Sequence, residues 1–166
     1  MEEQFIKMIN NHRGILYKVC NLYARNKDDK EDLFQEIILQ LWKSFPNFRN
    51  ESLLSTWMYR VALNTAISSF RKESKKPERQ SISKAEFQIP DIDSFPIEDE
   101  KRFLLNTAIQ QLTRIEKALV MLYLEEKSYQ EISEILGISN SNVGVKLNRI
   151  KTKLEKIINP KNYEYK

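Results

Sequence analysis

Apolar residues recur at three- and four-residue steps in separate blocks of the chain, the period of a helix with one buried face. In residues 4–24 the block is Phe5, Ile6, Ile9, Ile15, Leu16, Val19, Leu22 and Tyr23. It predicts helix on both sides of Gly14, with a bend or break at that glycine. The stretch KDDKEDLFQEIILQLWKSF follows. Asp28 as cap and Glu31 three residues later resemble a capping box, and further acids stand at the positive end of the helix dipole. Leu33, Ile37 and Leu41, and one step round Phe34, Ile38 and Trp42, make a wide apolar face, leaving Asp32, Gln35, Glu36 and Lys43 for solvent or a partner. After Pro46, NFRNES reads as a loop. Ser52 is a candidate cap for a long helix to about residue 75, with Leu54, Trp57, Met58, Val61, Ala62 and Ile67 inward and Arg60, Asn64, Arg71 and Lys72 outward.

Further along, helix ends are written into the sequence. Thr113-Arg114-Ile115-Glu116 and Ser128-Tyr129-Gln130-Glu131 both fit the capping box, in which hydroxyl and carboxylate satisfy orphan backbone amides. Gly137 follows Leu136 where a left-handed residue would end a helix, and Ser139 can cap the next. Helices are therefore expected over roughly 99–111, 114–125, 128–136 and 139–158. Tyr129, Ile132, Ile135 and Leu136 line the third of these; Val143, Leu147, Ile150, Leu154 and Ile157 line the fourth. A tri-helical core with one hairpin at a sharp turn is the shape in which a second helix enters a DNA groove.

Between the two lobes the period disappears. EFQIPDIDSFPIEDE, residues 86–100, carries six acids and no base, with Pro90 and Pro96, and reads as an extended linker. Net charge is +4 over residues 1–76, −3 over 77–113 and +3 over 114–166, so two basic lobes flank an acidic middle. A chain of 166 residues with 41% apolar content holds one modest core or two small ones, and Gly 3 with Pro 5 argues against a turn-rich all-β protein. The expected fold class is all-α, in two small helical domains.

Composition also removes several kinds of chemistry. Nothing approaches the ~20 apolar residues of a membrane span, and MEEQFIKMINN lacks the basic and apolar regions of a signal peptide. A cytoplasmic location is expected. Cys20 and His12 each stand alone, so neither a disulfide framework nor a metal cluster can be assembled within the chain, and Cys20 is expected to be a small core residue. No His, Cys or carboxylate constellation accompanies a phosphate loop or nucleophile pattern, so no catalytic residue and no cofactor is assigned. The acids at Asp28, Asp29, Glu31 and Asp32 fit helix-start electrostatics.

What remains points to a polyanion. Residues 45–76 interleave Phe45, Phe48, Trp57, Tyr59 and Phe70 with Arg49, Arg60, Arg71, Lys72, Lys75 and Lys76, which suits unpaired bases stacking on rings while cations follow phosphates. Trp57 and Phe45 are expected in the core; Phe48, Asn64 and the cations are the candidates for contact. On the last helix, the positions outside the apolar stripe are Asn140, Ser141, Asn142, Gly144, Lys146, Asn148, Arg149, Lys151 and Lys153, with no acid between Glu134 and Glu155. Amides bond base edges and cations anchor phosphates, whereas a merely solvated helix would mix Glu with Lys at four-residue spacing.

The string DKEDLFQEIILQLWKSFPNFRNESLLSTWMYRVALNTAISSFRK resembles region 2 of the extracytoplasmic-function subfamily of sigma-70 transcription initiation factors. LTRIEKALVMLYLEEKSYQEISEILGISNSNVGVKLNRIKTKLEKI is similar to their region 4. The resemblance covers both lobes in the family's order. It implies region 2 over 1–76, a linker over 77–98 and region 4 over 99–166, in a dissociable subunit of bacterial RNA polymerase that confers promoter recognition and begins melting. In the family the D-x-x-Q-E helix binds the clamp helices of the polymerase β′ subunit. Here it reads Asp32-Leu33-Phe34-Gln35-Glu36, with Leu39, Gln40 and Lys43 on adjoining turns.

The family's F-R-G-x-S-x-x-T-W motif appears with one extra residue before the Thr, as Phe48-Arg49-Asn50-Glu51-Ser52-Leu53-Leu54-Ser55-Thr56-Trp57. Asn50 stands for the usual Gly and also tolerates positive φ. The resemblance implies that this loop and the following helix, including Arg60, Asn64, Arg71 and Lys72, capture a flipped base of the minus-10 element, the unstacking cost being offset by the pocket and basic helix. Region 4 would read the minus-35 element through Ser139, Asn140, Ser141, Asn142, Val145, Lys146, Asn148, Arg149 and Lys151. Where the family has T-V-K/R-S-R-L-x-R, this chain has Asn142-Val143-Gly144-Val145-Lys146-Leu147-Asn148-Arg149, so Gly144 and Val145 replace a basic and a hydroxyl residue. Implied partners are the polymerase core, through the clamp helices and the β flap, promoter DNA and an anti-sigma factor, with the free protein a monomer. Two other readings stand beside it: an autonomous helix-turn-helix regulator, and a sigma-like protein that binds polymerase but not DNA.

Overall fold

A computed structural model of the chain describes residues 1–49, 53–69 and 100–160. Contacts between backbones cluster into two compact units, Met1–Ile92 and Asp93–Lys166. All the regular structure among the described residues is helical.

The first unit opens with α1 (Glu2–Asn11) and α2 (Arg13–Tyr23). The break between them falls at His12 (φ −125°, ψ 27°), and Gly14 lies inside the first turn of α2. The expected break at the glycine is thus displaced by two residues, because His12 closes α1 itself: its Nδ1 donates to the Met8 carbonyl at 3.0 Å, satisfying an acceptor that the helix end would otherwise leave bare. α3 (Lys27–Ser44) is capped by Asn26, not Asp28. Asn26 has an extended backbone and its Oδ1 accepts from Asp29 N–H at 2.8 Å. The helix therefore starts two residues earlier than expected and places Asp28 and Asp29 in its first turn, beside the partial positive charge of the helix end. A single 3₁₀ turn (Phe45–Asn47) leads out of α3, and α4 (Leu54–Ser69) follows. The expected cap Ser52 and the stretch to residue 75 lie outside the described residues.

α2, α3 and α4 pack on one another, and Leu16, Val19, Cys20, Ile37, Leu41, Met58, Ala62 and Leu63 are fully buried. Each large side chain removed from water in this way is worth about 1.5–3 kcal/mol. Cys20 is the core residue expected; burial pushes its thiol up to about 12, despite the nearby Lys30 charge, so it does not ionise near neutral pH. α4 is buried on more of its surface than its apolar period suggested, since Thr56, Tyr59, Leu63 and Ala66 also face inward while Leu54, Val61 and Ile67 are half-buried. Trp42, expected on the apolar face, is 38% exposed and meets Phe5 edge-on at 5.0 Å.

The second unit is α5 (Glu100–Gln110), α6 (Arg114–Leu124), α7 (Tyr129–Leu136) and α8 (Asn140–Ile158). Three helix starts are as the sequence predicts. The hydroxyls of Thr113, Ser128 and Ser139 accept from the amides of Glu116, Glu131 and Asn142, and the carboxylates of Glu116 and Glu131 reach back to the amides of Thr113 and Ser128. Gly137 ends α7 with φ 72° and donates its N–H to the Ser133 carbonyl. α6 ends differently. Lys127 N–H bonds Leu122 O and Glu126 N–H bonds Tyr123 O, a Schellman closure with a glutamate at φ 62° in the left-handed position usually held by glycine. Ala108, Ile109, Leu112, Leu119, Leu122, Ile132, Ile135, Val143, Leu147 and Ile150 form the core of this unit.

Candidate functional site

Along α3 the residues Asp32, Gln35, Glu36, Leu39, Gln40 and Lys43 recur at three- and four-residue steps, so they share one side of the helix, opposite the buried Leu33, Phe34, Ile37 and Leu41. Asp32 and Lys43 are exposed, whereas Gln35, Glu36, Leu39 and Gln40 are half-buried. Gln40 Nε2 donates to Glu36 Oε1 at 3.1 Å, one turn apart, which orders the middle of this strip. Trp42 flanks it, a large exposed ring that its apolar period had assigned to the core.

The aromatic and basic concentration divides when folded. Trp57 and Tyr59 are buried and Phe45 is half-buried against Phe5, with ring centroids 5.5 Å apart. Phe48, expected to be available for contact, is half-buried and stacks on Trp57 at 4.7 Å with 28° between planes. One of its faces is therefore occupied by the core. Arg49, Arg60 and Asn64 are exposed as expected, the last two one turn apart on α4. Asn50, Ser52, Arg71 and Lys72 lie outside the described residues.

On α8 the buried stripe Val143, Leu147 and Ile150 turns the opposite face outward: Ser141, Asn142, Val145, Lys146, Asn148 and Arg149 are exposed. The same outward face continues through Thr152 and Lys156, both exposed and both beyond the positions that the sequence pattern singles out. Ser139 is spent as the helix cap. Asn140 Nδ2 donates to Gln130 Oε1 at 2.9 Å, tying α8 to α7 across the turn, and the Ser133 hydroxyl donates to the Ile138 carbonyl. Two cations of the helix turn back to α6. Lys153 Nζ lies 2.9 Å from Glu116 Oε1, and Lys151 Nζ sits 4.6 Å from the centre of the Tyr123 ring. Burial raises the Glu116 carboxyl, but hydrogen bonds from Thr113 and Lys153 outweigh it and hold the group below the ordinary glutamate value. Glu131 is likewise held low, first by the Ser128 amide and then by its hydroxyl.

An all-α chain whose second unit is a helix-turn-helix with an acid-free outer face belongs to the class of helical DNA-binding proteins. Two models of one family match it in order: sigma-70 region 2 over residues 8–76 and sigma-70 region 4 over residues 102–154. The chain is 28% identical to the RNA polymerase sigma factor SigV of Bacillus subtilis, over 87% of this chain and 84% of that protein. It is 26% identical to the ECF RNA polymerase sigma factor SigG of Mycobacterium tuberculosis, over 88% of this chain, and spans about half, 46%, of SigG's length. Its fold is similar to the sigma factor RpoE of Bartonella quintana, solved in complex with the anti-sigma factor NepR, with a TM-score of 0.62, 17% identity and 95% of each chain covered. The chain belongs to the sigma-70 family, in its extracytoplasmic-function group.

Proposed function

We propose that this chain is a bacterial transcription initiation factor that binds core RNA polymerase and directs it to specific promoters. Residues 1–76 form region 2, 77–98 link, and 99–166 form region 4. The observation that carries this reading is the presence in one chain of two outward surfaces: the α3 strip from Asp32 to Lys43 and the acid-free outer face of α8. An autonomous helix-turn-helix regulator would account for the second and leave the first without a role.

In this reading Asp32, Gln35, Glu36, Leu39, Gln40 and Lys43 dock on the β′ clamp helices, and the second unit engages the β flap. Arg49, Arg60 and Asn64 on the described part of region 2, with Phe48, Asn50, Ser52, Arg71 and Lys72, hold the exposed strand of the minus-10 element. Cations follow its phosphates and the pocket offsets unstacking of a flipped base. Ser139, Asn140, Ser141, Asn142, Val145, Lys146, Asn148, Arg149 and Lys151 address the minus-35 element. Amides and hydroxyls near the start of α8 suit base edges, while Lys146 and Arg149 supply the salt-dependent term. Lys151 contributes through its stem and charge from beside Tyr123. The protein acts as an initiation factor rather than an enzyme, and needs no cofactor. It is a cytoplasmic protein and a monomer when not bound to polymerase; no described helix is long and apolar enough to cross a membrane. An anti-sigma factor holds it inactive, a reading supported by the similarity to RpoE bound to NepR.

Transcription in vitro tests the whole reading: core polymerase plus the purified chain initiates at specific promoters of the source organism, and failure on all of them sinks it. Gln35→Ala with Glu36→Ala lowers affinity for core polymerase while the helical circular dichroism is retained; unchanged affinity removes the strip's role.

A further inference from the structure

The outward face of α8 is polar except at one place. Between Ser141 and Asn148 stands Val145, 47% exposed. It adds nothing to the core that Val143, Leu147 and Ile150 build, and a β-branched residue is a weak helix former. Beside it Gly144 has no side chain. A Cβ at Gly144 would meet Tyr129 Cε2 at 3.4 Å, an ordinary contact, so packing does not require glycine and alanine would make a better helix. At Gly144 the 42%-exposed Tyr129 ring of α7 lies over the side of the backbone from which a side chain would rise, next to Val145.

On α8 itself the charges beside this small apolar site are of one sign. Lys146 and Arg149 are exposed on the adjoining turn, and no acid occurs between Glu134 and Glu155. A partner that meets it must be anionic at its margins and present a compact apolar group at its centre. In the major groove of duplex DNA that group is the 5-methyl of thymine. Resting on the promoter reading, we propose that Val145, beside Gly144, reads one thymine of the minus-35 element by contact with its methyl group. Apolar contact replaces a hydrogen bond as the source of specificity at that position.

The test uses core polymerase reconstituted with the full chain, selecting from duplexes randomised over the minus-35 element. Each thymine of the enriched element is then replaced by deoxyuridine, which removes the methyl and nothing else. One replacement weakens binding about fourfold, the change for a single methyl lost from an apolar contact, and with Val145→Ala the same replacement has a smaller effect. Because Val145 is exposed, that variant retains its fold, which circular dichroism verifies. If no thymine is sensitive to loss of its methyl, or the sensitivity is undiminished by Val145→Ala, the assignment is overturned and the promoter reading stands. If no duplex is enriched at all, the promoter reading falls and this contact with it.

Discussion

In the second unit three of the four helices begin on a Ser or Thr hydroxyl, two of them in complete capping boxes. In the first, α1 and α2 begin with no side-chain cap, and α3 has one from Asn26. Helix length does not explain the contrast: α1 and α2, with 10 and 11 residues, are uncapped although as short as the capped α6 with 11, and α8 is capped although its 19 residues match the 18 of α3. The second unit fixes its helices at their ends, each cap worth about 1 kcal/mol. The first relies on burial of large side chains over long faces. A unit whose helix ends are pinned by local bonds also holds a hairpin at a defined angle, which a DNA-reading helix requires.

Removing a core side chain should act most strongly, and on one unit. Leu41→Ala, at a fully buried position of α3, is expected to cost about 2–5 kcal/mol. Amide exchange followed by mass spectrometry should lose protection in α2–α4 and keep it in α6–α8; equal loss in both would mean that the units do not differ in this way. The two left-handed helix ends give a paired test of intermediate size. Gly137→Ala introduces a Cβ at φ 72° with open space around it, so its cost is backbone strain alone, about 1–2 kcal/mol. Glu126→Gly at φ 62° relieves the same strain and should stabilise by roughly 0.5–1 kcal/mol after the entropy of an extra glycine. Urea titration of the full chain measures both, and matching signs would refute the strain account.

Thr113→Ala is expected to cost about 1 kcal/mol by removing one half of a capping box, while no hydroxyl-to-alanine change among α1 and α2 starts exists to match it. The smallest effect is pH-dependent. Glu116 and Glu131 are both held below the ordinary glutamate value in the folded state. The stability they contribute is complete above the unfolded value of about 4.3 and is lost as pH falls through the depressed folded values. Acid titration followed by exchange should loosen α6 and α7 in that window. Glu116→Gln should flatten the α6 response, and an unchanged profile would assign the acid sensitivity elsewhere.

The contrast between units also explains what could be read without a structure. Caps are local: Thr113 with Glu116, Ser128 with Glu131, and Gly137 followed by Ser139 each announce a helix end within four residues, and all are where the sequence placed them. In the first unit the same logic chose Asp28 over Asn26 and Gly14 over His12, because several neighbouring residues there have capping or breaking chemistry, and the bonds of Asn26 to Asp29 and of His12 to Met8 show which are used. The candidate surfaces followed the same division. The outer faces of α3 and α8 are legible as the complement of a period. Which aromatic rings remain outside is not, since Phe48 and Tyr59 look alike in a string and differ by what covers them.

The sequence by itself determined the all-α class, the helix-turn-helix with its caps, the acid-free stretch of the last helix and the polar side of the helix from Asp32 to Lys43, because each rests on spacing within a few turns. Tertiary structure decided the rest. It turned Lys151 and Lys153 back to Tyr123 and Glu116, stacked Phe48 on Trp57, left Trp42 at the surface, and placed Tyr129 against the bare backbone of Gly144. These contacts join residues from different helices, and a side chain's neighbours across a helix crossing are set by the angle and distance of packing, which no local period encodes.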